Sequence, residues 1–402
     1  MRKSSVTALL LFFNKGLLTM EYIKKYISAL LSLILCFIFT YPTMIKQVQA
    51  QKQIDIQEQI DRIEQLEKDY KSGNYTKVNE DAFCNFDLSK ACADGIKFNE
   101  VSFLGTHNSY QKACVPARQK LFQDASTVTF GLVKAEKATF SADYLTDQLN
   151  LGIRSVELDV ETVVKDGKTS FVCSHSPVLD MPTHCYDFAL ALKEIKLWSD
   201  ANPNHLPVTV IIEPKKVFIP DKDMHYFNYN YANELGEQAK KILGDTLITP
   251  ADMMGSHSSL KEMREADDWM TLSETMGHVM ILLHDTTATE KYIAQDPMIK
   301  TQVMFPMLRY DSRDRDCASF LLINKAKDIA SQADEVLRKN LIIRTRSDNY
   351  GSYKEADSQT ALNSGAQIVS TDYPPKADMS KAERCVTFAN GCTVTLSKQT
   401  EG

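Results

Sequence analysis

Several chemical signatures are missing from this sequence. No strand-like run is followed by a GxGxxG or Walker-type loop, which disfavours the glycine-cradled nucleotide site of a doubly wound sheet. No CxxC pair and no His/Cys cluster with zinc spacing occurs, which argues against a structural zinc site. Positive charge is in deficit, with 46 Lys and Arg against 52 Asp and Glu, a formal net charge of −6. Such a balance is a poor match to nucleic acid or to nonspecific attraction by anionic membranes. Apolar and charged contents are those of a globular protein, long enough for one large domain or two ordinary ones.

What is present begins with a leader-like segment. Lys24 and Lys25 precede an apolar run from Ile27 to Phe39, and Val48-Gln49-Ala50 resembles a small-residue cleavage site. The run is short for a membrane span, so residues 1–50 are expected to be a cleaved secretory segment read from Met1 or Met20. An uncleaved anchor helix is the alternative. The remaining chain holds 40 basic and 51 acidic residues, a net charge of −11, and is expected to be exported. It keeps eight cysteines, Cys84, Cys92, Cys114, Cys173, Cys185, Cys317, Cys385 and Cys392, an even number that predicts disulfides outside the cytosol. Short spacings favour Cys84–Cys92, Cys173–Cys185 and Cys385–Cys392 as local loops.

Ile56, Ile60, Ile63, Leu66 and Tyr70 recur at helical spacing between Ile54 and Tyr70, an amphipathic helix expected to pack on the main domain rather than on another copy. From about residue 97, short β-branched runs alternate with helical or irregular stretches. The runs are Val101–Leu104, Ile153–Val160, Ser170–Cys173, Pro207–Ile212, His278–Leu283, Ala318–Ile323, Leu341–Arg344 and Ala366–Ser370. Repeated strand–helix units imply a parallel sheet, and eight candidates are the number that closes a barrel. The expected architecture is therefore α/β, a distorted TIM-type (β/α)8 barrel over residues 95–376. A helical extension (51–94) precedes it and a tail with a local disulfide (377–402) follows.

Active residues of such a barrel project from the C-terminal ends of its strands. The first strand runs into His107 and Asn108, and the second carries Glu157 and Asp159, two apart and so on one face. His175 follows the third run, Glu213 and Lys215 the fourth, His284 and Asp285 the fifth, Arg344 and Arg346 the seventh, and Asp372 the eighth. A lone histidine at a strand end is more often a hydrogen-bonded structural residue, but here complementary groups arrive from several strands. Converging carboxylates inside a barrel need a cation. With Asn108 as a neutral oxygen, Glu157, Asp159 and Glu213 suit Ca2+ first and Mg2+ second; a buried ion-pair cluster with Arg154, Lys215 or Arg346 is the alternative. His107 and His175 would flank a phosphate, one protonating a leaving oxygen and the other donating to phosphoryl oxygens, with Lys215 and an arginine taking remaining charge. This set describes phosphodiester cleavage without a covalent enzyme intermediate.

These residues lie in the stretches GTHNSY (105–110), GIRSVELD (152–159), Ser174-His175, IEPK (212–215), RTRSD (344–348) and SGAQIVSTDYP (364–374). In that order the set resembles the secreted bacterial calcium-dependent phosphoinositide phospholipases C, over roughly residues 95–376. The resemblance implies Asn108, Glu157, Asp159 and Glu213 as calcium ligands and His107 and His175 as the catalytic pair. It implies attack of the inositol 2-hydroxyl on phosphorus, with an inositol phospholipid as substrate and diacylglycerol and an inositol phosphate, cyclic or ring-opened, as products. The base among Glu157, Asp159 and other carboxylates stays open. A glycerophosphodiester phosphodiesterase, acting on deacylated soluble diesters, is the runner-up; its His-Arg and Glu-Asn-Thr signatures are absent. A non-catalytic inositol-lipid-binding module is the third reading. The aromatic stretch from Phe218 to Tyr231, with Tyr226, Phe227 and Tyr229, is expected either to form an interfacial lip for transient membrane contact or to pack on its own barrel. A monomer is expected.

Overall fold

The computed structural model describes residues 49–128, 135–174, 182–215, 224–225, 229–376 and 384–398. The leader expected over 1–50 therefore lies almost wholly outside the described residues. The strands are β1 (Val101–Thr106), β2 (Ser155–Lys165), β3 (Lys168–Cys173), β4 (Val208–Pro214), β5 (Met224–His225), β6 (Val279–Leu283), β7 (Phe305–Leu308), β8 (Phe320–Leu322), β9 (Ile342–Arg346), β10 (Ile368–Thr371) and β11 (Val394–Leu396). Eight of them, β1, β2, β4, β6, β7, β8, β9 and β10, pair in parallel and close on themselves. Helices such as Phe188–Ala201, Tyr229–Leu243, Ala326–Arg338 and Glu355–Leu362 fill the crossovers. The expected (β/α)8 barrel is the fold.

Two strands differ from the sequence reading. The run 170–173 is not a barrel strand: β3 folds back antiparallel on β2, from Lys165↔Lys168 to Val160↔Cys173. The two turn residues between them, Asp166 (φ 50°) and Gly167 (φ 74°), lie in the left-handed region that tight hairpins require. The barrel strand this displaces is β7, whose sequence Phe-Pro-Met-Leu is short and carries a proline rarely found inside a sheet. Pro306 occurs there opposite Leu283.

Closure between β1 and β2 rests on a single register pair, Gly105↔Ser155. The strands approach so closely that a Cβ on Gly105 would lie 2.7 Å from Ser155 Cβ and 2.9 Å from its carbonyl oxygen. Below this seam β11 pairs antiparallel with Val101–Phe103, so the tail completes the edge that β2 leaves open. Gly105→Ala is expected to destabilise the fold by about 1–3 kcal/mol through overpacking, seen as a lowered Tm with native circular dichroism retained.

The N-terminal helix, residues 49–72, packs on the barrel. Its inward face is not the expected isoleucine stripe alone. Asp55, Gln59, Ile63 and Leu66 are buried, while Ile56 and Ile60 lie at the margins. Gln59 exchanges two hydrogen bonds with the backbone of Asp187 (2.8 and 3.0 Å), and Asp55 accepts from Thr183 N (3.1 Å). The extension therefore ties down the stretch from Thr183 to Asp187.

The eight cysteines carry free thiols, contrary to the three expected disulfides. Sequence proximity did not become side-chain pairing. Cys84 lies along the tail, where Asn85 N donates to Val394 O at 3.3 Å, whereas the Cys92 sulfur sits 3.7 Å from Met276 Sδ. Cys173 and Cys185 are both buried in the core, and burial pushes both thiols well up.

Far from the mouth, His205 is buried between Trp198 and the backbone. Its Nδ1–H donates to Leu206 O (2.7 Å), and Nε2 accepts from Ser199 Oγ (2.7 Å), so the neutral ring is satisfied. Burial pushes its pKa down to about 3 from 6.5, against the pull of the Leu206 carbonyl. The unfolded chain therefore binds the extra proton first. Stability from this group is whole above about pH 6.5 and is lost as pH falls toward 3, at about 1.4 kcal/mol per pH unit. Thermal unfolding at pH 7 and 4.5 should show a smaller acid loss in His205→Gln than in the parent.

Candidate active site

The first strand delivers His107 and Asn108 to the mouth through a turn stitched to the second. Asn108 adopts φ 49°, a left-handed conformation that asparagine tolerates better than most residues. Ser109 N then donates to Glu157 O (3.0 Å), and Glu157 N donates to Ser109 Oγ (2.7 Å). On β2, Glu157 and Asp159 point inward, and the register Asp159↔Glu213 sets the third carboxylate alongside. One oxygen from each of Glu157, Asp159 and Glu213 lies within 4.8 Å of the others.

Cations answer these carboxylates. Arg344, fully buried, donates to Glu157 Oε2 and to Asn324 Oδ1 (2.7 Å). Lys215 Nζ stands 2.8 Å from both Asp159 Oδ2 and Glu213 Oε1. Tyr110 donates to the same Asp159 oxygen at 2.7 Å. Burial would raise Glu157, but Arg344, His107, His284 and Arg346 hold it well below the usual carboxylate range. Burial raises Asp159, and Glu213 and Glu157 add to it, so Lys215 does not bring it back down. Burial likewise opposes the Lys215 charge, yet Asp159 and Glu213 raise its pKa. Arg154 is absent from this network and pairs with Glu80 (2.5 Å).

Two buried oxygens of the mouth remain without a hydrogen-bond partner among the described residues, Asn108 Oδ1 and Asp159 Oδ1. An orphaned buried acceptor costs about 1–3 kcal/mol. Both belong to the set expected to bind a metal. Three clustered carboxylates and two orphaned oxygens, with no soft donor in the cluster among the described residues, fit a hard cation, Ca2+ before a transition metal.

His107 faces this cluster, with Nε2 3.7 Å from Glu157 Oε1. Two groups meet its other nitrogen, Asp372 Oδ1 at 2.8 Å and Arg346 Nη2 at 3.1 Å. A carboxylate can only accept, so the shorter contact makes Nδ1 the N–H donor and leaves Nε2 facing the mouth. Burial pushes Asp372 up, but His107, Arg346 and the Tyr350 amide (2.6 Å) hold it low. Asp348 sits behind it, accepting from Ser347, from Thr371 Oγ1 (2.5 Å) and from Asp372 N (2.7 Å). Burial raises the Asp348 carboxyl despite those bonds.

The expected residues thus converge, apart from His175, which lies outside the described residues. Its neighbour is informative: Ser174 N donates to Asp159 O at 3.2 Å, so the hairpin returns the chain to the level of Asp159 at Ser174. Of the aromatic stretch, Phe218, Tyr226 and Phe227 lie outside the described residues, and Tyr231 packs against the core. Sequence reading placed His284, Arg344 and Asp372 at strand ends without individual roles and took Tyr110 and Asp348 only as members of motifs. All five lie at strand ends or just beyond, the one signal that marked them. His284, half-buried, has its pKa lowered by burial although Glu213 and Glu157 pull it up.

Fold and site together give a (β/α)8 barrel whose mouth gathers three carboxylates that could hold a hard cation. The family model for Ca2+-dependent phosphoinositide phospholipase C matches residues 96–172 and 167–397, and the chain belongs to that family. Among solved structures, it is similar to a calcium-dependent phosphoinositol-specific phospholipase C from a Gram-negative Pseudomonas sp., in an apo form and myoinositol complex. The identity is 16% and the TM-score 0.51, covering 75% of this chain and 96% of that one. A Ca2+-dependent phosphatidylinositol-specific phospholipase C from Streptomyces antibioticus matches at 18% identity and TM-score 0.48, over 69% and 95%. No curated protein matches the sequence.

Proposed function

We propose that the mouth cleaves the glycerol–phosphate ester of an inositol phospholipid by attack of the inositol 2-hydroxyl, releasing diacylglycerol and an inositol phosphate, cyclic or ring-opened. The cation would be held by Asn108, Glu157, Asp159 and Glu213. When bound, calcium supplies positive charge that favours ionisation of the hydroxyl and stabilises the charged phosphorane. Every other step falls to side chains, and the proton of the attacking 2-hydroxyl passes to a carboxylate of the mouth, with Glu157 and Asp159 among the candidates. His107, oriented through Nδ1 by Asp372, presents Nε2 to a phosphoryl oxygen and donates to it when doubly protonated. His175 is the proposed general acid that protonates the departing glycerol oxygen. Arg346 and Lys215 are the cations placed to take remaining phosphate charge. The observation that carries this reading is the joining of two systems at one mouth: the His107–Asp372 pair stands 3.7 Å from a carboxylate of the three-oxygen cluster.

The proposal includes the setting of the enzyme. The leader is removed near residue 50, the helix from 49 to 72 stays with the barrel of residues 95–376, and the monomer meets membranes transiently from outside the cytosol. The basis is the charged-then-apolar sequence pattern before residue 50.

Parallel assays of phosphatidylinositol micelles and soluble glycerophosphoinositol test the substrate. Turnover of the intact lipid with little action on the deacylated diester is expected. The reverse preference would move the enzyme to the glycerophosphodiesterase class.

A further inference from the structure

One buried carboxylate near the mouth lacks a counter-ion. Glu157 meets Arg344, Asp159 and Glu213 share Lys215, and Asp372 has His107 and Arg346. Asp348 is only 6% exposed, and no Lys, Arg or His pairs with it among the described residues. A buried charge without an opposite partner is costly. Burial raises the Asp348 carboxyl, which is that cost expressed as proton affinity.

Hydrogen bonds stand in for the missing cation, and they lead to the catalytic histidine. Oδ1 of Asp348 accepts from Asp372 N at 2.7 Å, and Oδ2 accepts from Thr371 Oγ1 at 2.5 Å and from Ser347 Oγ. Ser347 N donates to Ser370 O (2.9 Å), so the turn carrying Asp348 is laid across the end of β10. Thr371 O accepts from His107 N (3.3 Å), and the Asp372 carboxylate accepts from His107 Nδ1 (2.8 Å). Residues 371 and 372 thus hold His107 by its backbone and by its ring, and Asp348 holds both of them.

The hold on the ring is contested. Arg346 Nη2 stands 3.1 Å from the same Nδ1 that lies 2.8 Å from Asp372 Oδ1. A guanidinium only donates and a carboxylate only accepts, so Arg346 calls for a lone pair on Nδ1 and Asp372 for a proton. The carboxylate is nearer by a few tenths of an ångström, a margin that a small displacement of Asp372 reverses. We infer, on the phospholipase reading for its kinetic consequence, that Asp348 is a positioning residue of the reaction. By anchoring the backbone at Asp372 it keeps that carboxylate, rather than Arg346, on His107 Nδ1. Without that anchor Arg346 donates to Nδ1, the single proton of the neutral ring moves to Nε2, and Asp372 no longer supports a second proton.

The test compares the parent with Asp348→Ala and Asp348→Asn. Misplacing a reacting group by about 1 Å costs on the order of a hundredfold in rate. In Asp348→Ala, kcat on phosphatidylinositol should fall about ten- to a hundredfold, with KM and calorimetric calcium affinity within about threefold, because the groups that bind substrate and cation remain. Asparagine keeps an oxygen for Asp372 N, and the Ser347 and Thr371 hydroxyls can turn to accept from its amide, so its kcat should stay within about fivefold of the parent. Nitrogen-15 NMR of the neutral His107 ring, assigned by its loss in His107→Gln, should show Nδ1–H in the parent and in Asp348→Asn, and mostly Nε2–H in Asp348→Ala. If the alanine variant does not fold, Asp348→Glu, which keeps the charge and misplaces the acceptor, carries the same expectations. An unchanged kcat or an unchanged tautomer in the alanine or glutamate variant overturns the inference. So does an asparagine variant as slow as alanine, because charge and not the bond to Asp372 N then governs the rate. If the wild type cleaves no inositol lipid, the phospholipase reading fails, and the ring tautomer still decides whether Asp348 positions His107.

Discussion

Alanine in place of His107 lowers kcat on phosphatidylinositol about a thousandfold and leaves KM within a few-fold. General acid–base and transition-state hydrogen bonding by one positioned side chain contribute on the order of 10²–10⁴ in rate. Both ring nitrogens of His107 are directed to this role, since Nδ1 is committed to Asp372 at 2.8 Å and Nε2 faces the carboxylate cluster. Headgroup binding relies on groups that remain, so the loss appears in kcat. Asp372→Asn should reproduce part of the fall, because the amide no longer selects the Nδ1–H form. Steady-state kinetics on purified, folded variants decide the matter, and a His107→Ala enzyme within tenfold of the parent would remove His107 from the chemistry. His175→Ala should behave likewise, and undiminished turnover there would overturn the proposed general acid.

Glu213→Gln raises the calcium concentration needed for half-maximal activity by about a hundredfold, while the rate at saturating calcium falls far less than in His107→Ala. Charge and ligand count set calcium affinity, and the substitution removes one of three clustered carboxylates without changing side-chain size. It also removes a carboxylate from Lys215, leaving that ammonium with Asp159. The parent and the variant should differ in calorimetric calcium binding without any substrate present. An unchanged calcium affinity would mean that Glu213 serves only to hold Lys215.

The barrel was legible because most of its strands are β-branched runs separated by helical spacing, and a strand buried on both faces has that appearance. Phe305–Leu308 escaped because four residues with a proline carry almost no strand signal. The run 170–173 took its place because its Phe and Val read like a barrel strand, whereas only the Asp166-Gly167 turn reveals the hairpin. The same local resolution limits the site. The two-residue spacing of Glu157 and Asp159 placed both carboxylates on one face, but pairing Glu157 with Arg344 depends on β2 and β9 meeting across the barrel interior. Nothing between residues 157 and 344 encodes that distance. Tyr110 was read as part of a motif; its contact with Asp159 needed the turn at Asn108 to be known. The thiols show the reverse error, since Cys84 and Cys92 are close in sequence and are held apart by the chain path.

Phosphorus NMR of residues 51–402 with phosphatidylinositol micelles, first with calcium and then with excess chelator, tests the central claim most directly. The account predicts an inositol phosphate signal, cyclic or ring-opened, that grows with calcium and stops on chelation. Lipid cleavage that continues at full rate in chelator would contradict it.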